Sequence, residues 1–553
     1  YRMGGRMGRP EKAKEREMVH SLFPVGIEGG NRRDLIKASK EAINELELVN
    51  RKCPKCKEET LFFLCPKCKI RTKILRKCSN ENCQEEVNDT FCPYCKNRVT
   101  NYSKKRIHIS ELLKNAQKNL HVGYPKYIKG VRGLMNKNRI FEPIEKGILR
   151  AKYNIHTFKD GTIRFDAVDA PLTHFKPKEI GISLEDVETL GYKNDYKGDP
   201  LESPDQIIEL KPQDIVIPYN GGKFLVKVGN FIDDLLSKFY DLEPFYKCNK
   251  IQDIIGQIVI GLAPHTSAGI IGRIIGFTKN KVCYAHPYWH AAKRRNCDGD
   301  EDSVILLLDA LLNFSRNYLP SSRGGMMDAP LVISIILHPE EVDKEVYNLE
   351  TISKFPIDFY EETLKYTHPK ELLDKIEIIE HRLGKPNQYN HINFTIPNTD
   401  INTTPSVSSY KKFKSVKEKI EAQLMLGKKI MAVDTSDEAS RLLNTHLIPD
   451  IIGNMRAFGT QQVRCPKCNI KYRRIPLSGT CRTCGGNLIF TVHEGGIVKY
   501  LDLAKQVAIK YNLSDYMKQR LELTENNINS VFKHRKRIAK LTQFMDLGID
   551  DEQ

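Results

Sequence analysis

In the stretch KRRNCDGDEDSV, residues 293–304, three basic side chains run into an Asn, a Cys and then four acids within five positions. Asp298, Asp300, Glu301 and Asp302 repel one another at such spacing, so the cluster calls for a cation among them. If the segment is extended, side chains alternate with period two. Asp298, Asp300 and Asp302 then share one face and Glu301 points away. That face suits hard divalent ions. Mg2+ takes one or two protein carboxylates and fills its shell with waters and phosphate oxygens, and two such ions can activate an attacking hydroxyl and neutralise a leaving pyrophosphate. The chemistry indicated is phosphoryl transfer. Gly299 lets a phosphate or a strand approach the backbone closely, and Lys293, Arg294 and Arg295 are placed to neutralise a triphosphate or a nucleic-acid strand.

Two blander readings compete. D-x-D-x-D also opens a calcium loop, with Asp309 at its twelfth position, but Ser303 stands at the sixth, where the sharp turn needs Gly, and the apolar VILLLDALL begins inside the loop. A solvated acidic turn is the other, weakened by the same apolar run.

The flanks add candidates. GLAPHTSAGIIGRIIGF (261–277) sets His265, Thr266 and Ser267 before small residues, and YAHPYWHAAKRRN (284–296) places His286 and His290 ahead of the acids. An H-x3-H metal pair needs a helix, which Pro287 resists, so packed or substrate-side histidines are expected. NFSRNYLPSSRGGMMDAP (313–330) offers Arg316 and Arg323 to a phosphate backbone, or is an ordinary exposed turn.

Twelve of the fifteen cysteines fall into paired knuckles: Cys53 and Cys56 with Cys65 and Cys68, Cys78 and Cys83 with Cys92 and Cys95, and Cys465 and Cys468 with Cys481 and Cys484. Tetrahedral zinc needs four soft ligands brought from two tight turns, and nothing marks the secretion that disulfides would require, so three structural Zn2+ sites are expected. Four thiolates leave no open position, which makes each module a staple and docking surface rather than a catalyst. Cys248, Cys283 and Cys297 stand alone.

Around these sites lies a mixed α/β pattern. Residues 108–120 and 228–240 have helical spacing, 162–168 and 214–218 read as strands, and 415–430 as an amphipathic helix. The Asn-, Thr-, Ser- and Pro-rich 394–412 reads as a linker or long loop. The 553 residues carry 87 Lys and Arg against 69 Asp and Glu, net +18, which favours a polyanionic partner. The longest apolar run, near 254–263, is too short for a bilayer and the start has no signal-peptide core, so a cytoplasmic, membrane-free protein is expected. The Tyr1 start followed at once by a dense Gly/Arg motif suggests the later part of a longer polypeptide.

The long motifs APHTSAGIIGRIIGF, AHPYWHAAKRRNCDGDED and LLNFSRNYLPSSRGGMMDAPLV, with KGILRAKYNI, FKDGTIRFDAVDAPLTHF and NTHLIPDIIGN, resemble the large catalytic subunit of the archaeal family D DNA polymerase over nearly all of the chain. The resemblance implies a multidomain α/β and β protein with two double-psi β-barrels forming an RNA-polymerase-like core, four-cysteine zinc modules and helical accessory regions. Its implied layout is one barrel begun in 1–50, interrupted by zinc modules at 51–100 and completed in 101–235; a catalytic barrel at 236–345; an accessory region at 346–460; a zinc ribbon at 461–490; and C-terminal helices at 491–553. Asp298 and Asp300 would hold two Mg2+, with Asn296 beside them and Asp302 in support, while Arg9, Lys12 and Lys14 would face the nucleotide or primer end. The implied reaction adds deoxynucleotides to a primer 3′ end on template DNA. A small subunit with 3′ to 5′ exonuclease activity would dock near Cys465–Cys484. Leu541, Phe544 and Met545 are spaced rather like a sliding-clamp motif. A metal-dependent nuclease, an inactive zinc-stapled DNA-binding scaffold and RNA synthesis on a related barrel remain as alternatives.

Overall fold

The computed structural model describes residues 13–80, 82–83, 85–123, 125–294, 301–395, 400–403, 412–430 and 433–532. It divides into two compact units, Tyr1–Ser408 and Ser409–Gln553, the division falling inside the stretch read as a linker. Part of that stretch is nonetheless packed. Asn402 accepts from Thr278 Oγ1 and Lys279 N and donates to the Glu179 carbonyl.

The first unit is built on one mixed sheet. Its edge strand is β1 (Ala13–Glu15). After β2 (Asn44–Val49) and β3 (Tyr102–Ile107), the sheet continues with β4 (Phe165–Pro171), β5 (Asp214–Pro218), β6 (Ile258–Leu262), β7 (Ala268–Thr278), β8 (Val282–Ala285), β9 (Glu301–Leu306) and β10 (Val332–Ser334). Pairing runs β4, β8, β5, β7, β6, β9 and back to β4, so six strands close a barrel. The β4–β8 and β5–β7 pairs are parallel and the other four antiparallel. β1 lies beside β4 and β10 beside β7. Strands from 101–235 and from 236–345, read from sequence as belonging to two barrels, therefore share one sheet with β1 from 1–50, and among the described residues six of them close a single barrel with β1 at its side.

Closure explains the apolar runs. Every residue of β5 and nearly every residue of β9 is buried, because helices cover the outer face while side chains fill the inner one. The main cover is α3 (Tyr219–Phe239), preceded in the chain by α1 (Ile109–Leu120) and α2 (Ile144–Tyr153). On α3, Phe224, Val228, Phe231, Ile232 and Leu235 are buried at the 3.6-residue period, each worth about 1.5–3 kcal/mol relative to exposure. Gly221 and Gly222 let the helix approach the sheet: a Cβ there would meet Phe165 at 2.9 Å and Phe277 at 2.6 Å. The helix read at 228–240 thus begins nine residues earlier, at Tyr219, about two and a half turns that take in its glycine pair.

β2 and β3 pair over their whole length and form a two-stranded stem. The zinc modules hang between its ends. In the second unit, α6 (Val416–Lys429), α7 (Thr435–Leu442), α8 (Ile448–Thr460), α9 (Leu501–Lys510) and α10 (Asp515–Phe532) gather mainly around Leu424, Leu443, Ile448, Ala504 and Leu521. No described helix is long and apolar enough to cross a membrane.

Candidate active site

The barrel brings the expected loops to one end. β9 starts at Glu301, opposite Val168 of β4, and Ser303 faces both Asp166 and, on the other side, Leu262 of β6. Lys14 of β1 is also opposite Asp166. The chain leaving β6 is the 263–267 loop, which docks on the 322–330 turn: His265 N donates to Asp328 Oδ1, Asp328 N to the Thr266 carbonyl, and Ser267 Oγ to the Met326 carbonyl. His265 is exposed at φ 62°, and Arg323, which opens the short helix Arg323–Met326 of the docked turn, is exposed as well. Lys14, His265 and Arg323 thus join the root of the acidic segment. Arg9, Lys12, Arg295, Asn296, Cys297, Asp298, Asp300 and the 537–548 tail lie outside the described residues.

The root itself is clamped. α4 (Pro287–Ala292) leads into Lys293, whose ammonium, fully buried, contacts the Asp302 carboxylate and lies 3.0 Å from His290 Nδ1 and 3.9 Å over the Trp289 ring. His290 Nε2 faces the Ala170 carbonyl at 3.0 Å, so it carries the proton and Nδ1 accepts from the ammonium. Burial, and then Lys293, push His290 down to about 4, which keeps the ring neutral. Burial alone would raise Asp302, yet the ammonium and His290 hold its carboxyl below the usual range. Lys293 and Asp302 are nine residues apart and flank the acidic segment, so their pairing fixes both of its stems.

This arrangement corrects three expectations. Lys293, expected to face a triphosphate, points into the interior. Asp302, expected on the metal face with Asp298 and Asp300, is fully buried against that lysine. Pro287 does not prevent the helix but opens it at the first position, where its missing N–H is no loss, with His286 capping through Nδ1 to Tyr288 N. His286 and His290 are both packed, as the proline suggested, although for a different reason. The calcium-loop alternative also fails: residues 301–306 are a strand, and Asp309, on α5 (Leu307–Asn313), accepts from Ile163 N at 2.6 Å and Asn313 Nδ2 at 2.8 Å.

Asp169, His290 and Asp302 bring one ligand atom each within 4.8 Å of one another, a group able to hold a metal. The cation paired with Asp302 there is the Lys293 ammonium, which meets the charge requirement without an ion.

Several residues at this end escaped the sequence reading. Arg16 Nε lies 2.7 Å from Asp166 Oδ2, and Ser303 Oγ donates to Asp166 Oδ1 at 2.6 Å, which ties β1 to β9 across β4. Arg16, Lys159 and Arg164 surround the Phe158 ring at 5.0, 5.2 and 4.0 Å. The signal was available in KDGTIRFDAVD: acids and bases inside an otherwise apolar strand must be paired or functional.

All three cysteine sets come together. Sγ atoms within a set lie 3.2–3.7 Å apart where they are in contact, far from bonded and near the roughly 3.8 Å edge of a tetrahedron with zinc–sulfur bonds of about 2.3 Å. In five half-sites the residue after the second cysteine, Lys57, Lys69, Lys96, Asn469 or Gly485, has φ between 55° and 65° and returns its N–H to the first cysteine's carbonyl. That turn aims both thiolates at one point. The donor set fits zinc.

The catalytic domain described as "DNA polymerase II large subunit DP2, catalytic domain" matches residues 121–419, and the corresponding central domain matches 1–89. A zinc finger domain of DNA polymerase-epsilon matches 459–517. The DNA polymerase II large subunits of Pyrococcus furiosus, Archaeoglobus fulgidus and Methanothermobacter thermautotrophicus are 52%, 49% and 48% identical, over 98%, 96% and 96% of this chain and 44%, 48% and 46% of theirs. The chain spans about half the length of these relatives. With both domain matches and this identity along nearly all of its residues, the chain belongs to the family of DNA polymerase II large subunits.

Proposed function

We propose that this chain carries the catalytic core of a DNA-directed DNA polymerase, adding deoxynucleotides to a primer 3′ end on template DNA. The observation that carries the reading is the convergence, at one barrel end, of Lys14, the His265 loop, the Arg323 turn and the clamped stems of the acidic segment. Asp298 and Asp300, with Asn296 alongside, would hold two Mg2+, which when bound supply the charge that lowers the pKa of the primer hydroxyl and stabilises the leaving pyrophosphate. The chain's own groups orient the reactants. Lys14, Arg294 and Arg295 meet phosphate oxygens, Arg9 and Lys12 extend that basic surface, and His265 and Arg323 hold the strand. Lys293 and Asp302 act from inside by fixing the segment. The closed barrel serves as one of two double-psi barrels of an RNA-polymerase-like core.

Zn2+ in the three cysteine sites staples the modules. The zinc ribbon at 461–490 is a docking surface for a small subunit bearing the exonuclease, and the C-terminal tail a contact for a sliding clamp. The test is primer extension by the chain with its small subunit, Mg2+ and deoxynucleotides, comparing wild type with Asp298→Asn and Asp300→Asn. Loss of extension in both with duplex binding retained is expected. Extension persisting in both overturns the assignment, and degradation of primer by the wild-type chain alone without deoxynucleotides favours a nuclease.

A further inference from the structure

In the first zinc module three consecutive apolar residues face outward. Phe62, Phe63 and Leu64 are 39%, 53% and 51% exposed, immediately before the zinc-directed Cys65. A small zinc-held module has little core to give them, but a solvent-facing run of this kind is disfavoured unless something covers it.

The Phe63 ring is held in place. Thr72 N donates to the Phe63 carbonyl at 2.9 Å, and Thr72 Oγ1 lies 2.7 and 3.0 Å from the carbonyls of Phe62 and Phe63. Arg51, buried, grips the same threonine through Nε at 2.8 Å and a terminal nitrogen at 2.9 Å. Its guanidinium carbon lies 5.2 Å from the Phe63 ring centre, and that of the exposed Arg71 lies 4.7 Å from it. Two cations therefore flank one half-exposed ring. Burial and then the neighbouring Arg71 lower Arg51, and no carboxylate offsets them. Among the described residues the module's own acids are engaged elsewhere, Glu58 with Lys67 and Glu59 with Lys77.

The chemistry of the missing partner follows. It must be anionic, to answer two guanidiniums, and must offer a flat apolar face to a rigid ring. An acidic protein surface meets the first condition alone and an apolar one the second alone. A duplex presents phosphates but hides its base faces. An unpaired nucleotide meets both, by stacking its base and placing its phosphate near the arginines. We propose that the Phe63 face of the first zinc module, with Arg51 and Arg71, binds single-stranded nucleic acid, separately from the barrel end.

The experiment uses the zinc-loaded 553-residue chain and fluorescence anisotropy with three labelled probes: oligo-dT, oligo-rU and a blunt duplex. Phe63→Ala should weaken single-strand binding about 10-fold, within the range of one lost base–aromatic stack, while Phe63→Trp retains it. Arg71→Gln should reduce the slope of log affinity against log salt by about 0.7, one phosphate contact on a single strand. Duplex affinity, zinc content and melting temperature should stay at wild-type values. A loss for one sugar type alone would identify that strand as the ligand. Wild-type affinity for both single strands in Phe63→Ala and Arg71→Gln, or an equal loss for the duplex, would overturn the proposal.

Discussion

The barrel and the twin zinc modules of residues 51–100 answer the same problem, holding charged side chains in fixed places, in opposite ways. In the barrel the charges are internal. Arg150 of α2 is paired bidentately with Glu142, Arg164 with Asp160 and Lys293 with Asp302, all of them buried. In the modules, backbone turns aimed at a metal do the holding, ion pairs sit at the surface, and aromatic side chains are left outside. The comparison shows where each region is vulnerable: the modules through their metal, the barrel through any buried charge that loses its partner.

The largest expected effect is on the modules. Zinc binding supplies about 10 kcal/mol of folding free energy per four-cysteine site, so chelation should unfold both modules of residues 51–100, and Cys92→Ser the second of them, while the barrel persists. Limited proteolysis checks this, with cuts expected inside 51–100 and none between 165 and 306. Cleavage of both regions together would show that the barrel depends on the modules.

A smaller effect is expected in the barrel. Lys293→Met leaves Asp302 buried without its cation, at a cost of about 3–5 kcal/mol, and Lys293→Met with Asp302→Leu should recover much of it. Denaturant unfolding measures the loss. The chain has one tryptophan, and it lies directly under the ammonium, so its emission should shift in the single variant. Equal stability of wild type and Lys293→Met would show that the pair does not hold the stems.

The smallest effect is on pH dependence. Burial first, with neighbouring cations or histidines in two cases, lowers His20 and His174 to about 4 and His286 to about 3. Each is neutral when folded and takes a proton near 6.5 when unfolded. Stability is therefore fully present above about pH 6.5 and declines as pH falls towards 4, by about 1–3 kcal/mol for each ring. Melting curves between pH 7 and 4.5 should show the fall in the barrel, and a flat profile would contradict the burial of these rings.

Much of this division was legible in the sequence, because knuckles and apolar strands are local patterns. Cys-x-x-Cys spacing fixes its own turn, and 214–218 is the strand that its five apolar and turn-adjacent residues suggest. Pairing between distant segments has no such local signature. Nothing in 165–171 announces that its two edges take β1, β8 and β9, and so the closing of one barrel by strands read as belonging to two went unseen. The same limit explains Lys293 and Asp302. A basic run and an acidic run read as two surfaces, whereas the closure of β9 on β4 turns one member of each inward. Asp166 and Arg16 were missed because their partnership spans 150 residues.

The central claim, that metal ions are held at this barrel end by Asp298 and Asp300, is tested most directly by replacing Mg2+ with Fe2+ and cutting the backbone with ascorbate and peroxide. The account predicts cuts within 298–300 and on the facing segments 263–267 and 323–328, abolished by Asp298→Asn with Asp300→Asn. Cuts confined to other parts of the chain, or unchanged in the double variant, would contradict it.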